Sequence, residues 1–124
     1  MTIDISAFSF DASALNLDAN SDFVAHVPRG LGGRDALFEA LCRTLQLPAY
    51  FGNNWDALSE CLRDLSWIER HRVVLLHQDL PPLGMKEIET YLDILSECVR
   101  DWKLGEAHEL VVVFPPEAHD RIVK

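Results

Sequence analysis

Asp56 and Glu60 stand four residues apart, a spacing that puts two carboxylates on one face of a helix. Just before them run Tyr50, Phe51, a Gly52-Asn53 turn and Asn54, so aromatic, polar and acidic groups crowd one short piece of chain. Two chemistries fit such a set. Paired carboxylates serve general acid and base catalysis, which requires a cleft and unequal surroundings that an exposed helix face seldom supplies. Alternatively, aromatic anchors ringed by charge have the composition of a protein-binding hot spot. A plainly structural reading also exists. Asp56 in a first helical turn favours the positive end of the helix dipole, and Glu60 has Arg63 within reach on a solvated face. Like charges at this spacing cost an isolated helix only about 0.2–0.5 kcal/mol.

Other reactive residue types are scattered. Cys42, Cys61 and Cys98 form no Cys-x-x-Cys pair and have no histidine at metal-ligand spacing, and each falls in a helical apolar pattern, as small core residues do. His26, His71, His77, His108 and His119 are equally dispersed. No metal and no cofactor is expected. Gly30, Gly32 and Gly33 form a loop without the Gly-Lys-Ser/Thr of a phosphate-binding turn.

The elements that must position the acids can be read from periodicity. Asp22 to Val27 alternates and stops at Pro28, which suits a strand. From Arg34 to Gln46, Leu37, Phe38, Leu41, Cys42 and Leu45 line one side of a helix that ends at Leu47-Pro48. A second helix is predicted to start after Asn54 as N-cap, carrying Trp55, Leu58, Cys61, Leu62 and Leu65 inward. Of the two rings before it, Tyr50 and Phe51, at least one should be buried. Arg72 to His77 is a nearly continuous apolar run, as in a strand central to a sheet or covered on both faces. A third helix from about Lys86 to Lys103 shows Ile88, Tyr91, Leu92, Leu95, Val99 and Trp102 inward, with Gly105 placed to end it. Leu110 to Phe114 is the clearest strand, stopped by Pro115-Pro116. Strand, helix pair, strand, helix, strand implies a small parallel sheet with packed helices, an α/β fold in two layers.

The 124 residues suit one domain: residues 1–21 an extension with room for one short strand, 22–114 the domain, 115–124 a tail. A composition of 48% apolar and 25% charged residues is that of a soluble globular protein. No apolar run approaches the length of a membrane helix, so no membrane association is expected, and Met1 to Asp4 does not open a secretion signal, so a cytoplasmic location is expected. Eleven basic against twenty acidic residues give a formal charge of -9, which repels nucleic-acid backbones and favours a basic protein partner.

The run Leu-Pro-x-Tyr-aromatic-Gly-x-Asn-x-Asp-Ala-Leu beginning at Leu47 resembles the barstar family of intracellular ribonuclease inhibitors, and a looser likeness extends from Asp22 to Phe114. The resemblance implies a barstar-like, three-stranded parallel sheet and a non-enzymatic protein, monomeric when free, that blocks the active site of a basic secreted or toxin ribonuclease. Carried onto matching positions, it implies partner contacts by Tyr50, Phe51, Asn54, Asp56, Glu60 and Asp101. The Glu60 carboxylate would stand in for a substrate phosphate, because its two oxygens match the fork of a guanidinium. The family often has Asp where this chain has Glu60, and an aromatic where it has Ser59. This difference of one methylene points to a partner of its own. The competing readings are a regulatory module of the same fold with a non-nuclease partner, and a small hydrolase using the two acids or a Cys-His pair.

Overall fold

A computed structural model describes residues 3–18, 20–48 and 51–123. Four strands, β1 (Phe8–Ser9), β2 (Asp22–Val27), β3 (Arg72–His77) and β4 (Glu109–Val113), pair in the order β1-β4-β3-β2 with every pairing parallel. The helices are α1 (Arg34–Leu45), α2 (Trp55–Asp64), α3 (Met85–Asp101) and a short α4 (Ala118–Val123).

The α/β fold and its parallel sheet match expectation, but the sheet has four strands rather than three. The fourth, β1, is only two residues long, and its position depends on distant chain. Phe8 and Ser9 sit in register with Val112 and Val113, Phe114 N–H donates to Ser9 O at 2.9 Å, and the Phe8 ring meets Phe114 edge to face at 5.4 Å. Local propensity does not decide so short a strand; the open edge of β4 and a ring contact do.

In β3, Val73, Val74 and Leu75 are all fully buried, as a strand between two neighbours and covered on both faces requires. At the start of β2 the buried Asp22 faces Arg72 across the sheet. Arg72 donates through Nε at 2.8 Å and through a terminal nitrogen at 2.7 Å, and the same nitrogen donates to Leu15 O at 3.1 Å. The two bonds from Arg72 to Asp22, with a third from Asp18 N–H at 2.8 Å, hold the Asp22 carboxyl down at about 2.

Two tryptophans finish helix ends. Trp67 donates its indole N–H to Leu45 O at 2.9 Å, and Trp102 donates to Leu62 O at 2.8 Å, so each satisfies a last-turn carbonyl that the helix itself leaves open. The pull on Trp102 also explains why α3 stops at Asp101 rather than running to Lys103. Trp102 is the extended cap residue, and Gly105, with φ +90°, turns the following loop instead of ending the helix.

His77 ends β3 in a buried polar pair. A backbone carbonyl only accepts, so His77 Nδ1 carries the proton and donates to Val113 O at 2.9 Å; Nε2 then accepts from the Tyr91 hydroxyl at 2.7 Å. Burial lowers the His77 pKa to about 4 and raises that of Tyr91.

Candidate functional site

The chain before α2 is fixed by its end residues. Asn54 caps the helix as its sequence position predicts: its side-chain oxygen accepts from Ala57 N–H at 2.8 Å, and its amide donates to Gly52 O at 3.3 Å. A Cβ at Gly52 would lie 3.2 Å from the Asn54 side-chain nitrogen, close enough that the amide would have to shift by a few tenths of an ångström. Asn53 adopts a left-handed φ of +53°, a conformation that asparagine tolerates better than most residues.

Beneath this turn runs a line of rings. Phe51 meets Phe38 of α1 edge to face at 5.6 Å, Phe38 meets Trp55 at 4.9 Å, and Trp55 lies 6.1 Å from Tyr91 of α3. Phe51 is buried, as one of the two rings was expected to be. Its ring therefore faces the core rather than a partner, and what it gives the surface is a fixed loop. Tyr50 lies outside the described residues.

Helix α2 is strongly two-sided. Leu58, Cys61 and Leu62 are fully buried, and each such leucine contributes about 2 kcal/mol by leaving water. Asp56, Glu60 and Arg63, at steps of four and three, form the opposite, exposed row. Asp56 and Glu60 have no ion pair and no side-chain hydrogen bond among the described residues. Arg63 does not turn back to Glu60. It reaches across to α3, donating through Nε to Asp101 at 2.6 Å and standing 3.6 Å from Glu97.

Asn54 thus caps α2 and Asp56 and Glu60 share its exposed face, whereas Asp101 joins the surface from α3 with its carboxylate held by Arg63. Glu97 and Asp101 are themselves four apart, a pattern visible in the sequence; their shared cation was not, because Arg63 lies 38 residues from Asp101. A second neighbouring feature also went unread. A depression of about 370 Å³ beside the loop is lined by Asp35, Phe38, Glu39, Cys42 and Asn53, which continues acidic surface onto α1.

Catalytic chemistry finds little support in this geometry. Asp56 and Glu60 both lie exposed on a helix face. Burial raises the thiol pKa of all three cysteines, that of Cys98 to about 11, which keeps them protonated and poorly nucleophilic at neutral pH. Among the described residues no group of three or more His, Cys, Asp or Glu side chains is placed to hold a metal, and no helix is long and apolar enough to cross a membrane.

A family model described as Barstar (barnase inhibitor) matches residues 23–115, which is most of the chain and includes all of α1, α2 and α3. Among curated proteins, none matches.

Proposed function

The chain belongs to the barstar family, a family of ribonuclease inhibitors rather than enzymes, and on that premise we propose that it inhibits a basic secreted or toxin ribonuclease by covering its active site with α2 and the loop before it. The observation that carries this reading is the pair Asp56 and Glu60, exposed and without an ion pair among the described residues, on a helix whose opposite side is packed to the core. Uncompensated carboxylates on a rigid element suit binding to cations that normally hold phosphate. The helical backbone that carries them is already ordered at the moment of contact, and no ion pair among the described residues need be broken.

Glu60 enters the nuclease site as the phosphate mimic, with Asp56 and Asn54 beside it. Tyr50 is assigned to the same contact through its place in the family motif, and Phe51 acts from below by holding the loop. Asp101 borders this surface. The inhibitor acts as a monomer in the cytoplasm, as an immunity protein or antitoxin whose charge of -9 speeds the encounter with a basic enzyme.

Titration of the chain into barnase-type ribonucleases acting on RNA tests the proposal. One of them should lose activity at one molar equivalent, with an association rate that falls as salt is raised. Absence of inhibition across the set contradicts it.

A further inference from the structure

Arg63 shares the exposed row of α2 with Asp56 and Glu60, yet its guanidinium is spent on α3, at 2.6 Å from Asp101 and 3.6 Å from Glu97. The acidic surface is therefore divided. Its α2 half carries Asp56 and Glu60, which have no ion pair among the described residues, and its α3 half carries Glu97 and Asp101 gathered on one permanent cation. We propose that Arg63 is a specificity-determining residue, a built-in counterion that withdraws Glu97 and Asp101 from cation binding and restricts the partner to one whose basic groups cluster over Asp56 and Glu60.

The argument is electrostatic. A guanidinium stays charged at any physiological pH, so Arg63 does not switch off when a partner approaches. A partner cation placed against α3 would have to displace Arg63 from two carboxylates while leaving it within a few ångströms, a like-charge contact that weakens a wrong complex more than it strengthens a right one. A neutral or acidic patch in that place meets no such repulsion. Arg63 also sits in the last turn of α2, where the helix dipole favours a cation, and the three side chains of the cluster remain 42–54% exposed, so the cluster is open to a partner. The proposal rests on the reading of this face as a partner surface, and not on the partner being a nuclease.

A hexa-arginine peptide titrated into the 124-residue chain, followed residue by residue by NMR, tests the division. In the wild-type protein the peptide should perturb Asp56 and Glu60 and leave Glu97 and Asp101 unmoved. Arg63→Ala should extend the perturbation to all four and tighten binding about 5-fold. Arg63→Lys should keep the wild-type pattern. Arg43→Ala, which removes the same charge from the Glu39–Arg43 pair on α1, should keep it as well. Perturbation of Glu97 and Asp101 in the wild type, or an Arg63→Ala map indistinguishable from that of Arg43→Ala, overturns the proposal. The two readings fail separately. A chain that inhibits no ribonuclease yet gives this map keeps the role of Arg63, whereas a chain that inhibits one and gives a uniform map loses only that role.

Discussion

Among the described residues Glu60 has no ion pair, while Asp101, Glu97 and Glu39 each have an arginine within ion-pair distance, and this difference sets apart which acid is available to a partner. A carboxylate that must fit a two-point guanidinium contact is sensitive to its reach. Shortening the side chain moves its oxygens by about 1.5 Å, one carbon–carbon bond. Glu60→Asp should therefore weaken inhibition of the nuclease that the wild-type chain binds best by about 10-fold, the equivalent of one charge-assisted hydrogen bond. Inhibition constants for the two forms against the same enzyme check this, and equal constants would mean that the carboxylate is not seated in a site of fixed geometry.

The elements around Glu60 were legible in the sequence to different degrees, and the reasons are physical. Asn54 was readable as an N-cap because capping is local, a side-chain oxygen reaching three residues along the chain. The limits of β3 and the inward row of α2 followed from burial, which writes a period into the sequence. In contrast, the extension could be read only as having room for one short strand, without its position or its place in the sheet, because two residues carry no period, and the Arg63 cluster was hidden because it joins two helices packed side by side. The end of α3 was misplaced for a related reason, since a carbonyl on α2 decides where Trp102 turns. The cap itself is testable at this scale. Asn54→Ala removes the acceptor for Ala57 N–H and the tie to Gly52, and should lower stability by about 1 kcal/mol in urea denaturation. It should also weaken inhibition, because the loop that Phe51 anchors from below is pinned by Asn54 from above. A variant as stable as wild type would show that the cap observed here contributes nothing.

At the scale of the whole molecule, a buried polar pair at the end of β3 makes folding depend on pH. His77 is fully buried and neutral, joined to Val113 and Tyr91, with a folded pKa of about 4 against an ordinary 6.5. Above pH 6.5 neither the folded nor the unfolded chain protonates it, and its contribution to stability is complete. As pH falls from 6.5 towards 4 only the unfolded chain takes up the proton, so stability drops with it, by about 3 kcal/mol over the interval, and below 4 this loss levels off. Urea midpoints across that range check the loss, and the His77 ring should titrate in the folded protein near 4. A ring that titrates near 6.5 in the native state would contradict the buried pair.

The central claim turns on Glu60, an exposed side chain of α2. Since Glu60 is exposed and has no internal partner among the described residues, Glu60→Ala should leave the fold intact and remove only the proposed phosphate mimic. The decisive measurement is the inhibition of a barnase-type ribonuclease by wild-type and Glu60→Ala chains in parallel. The expected result is full inhibition by the wild type at one equivalent and a loss of about 3 kcal/mol or more, roughly 100-fold in affinity, for the variant, as when one partner of a buried ion pair is removed. Equal inhibition by both chains would contradict the account.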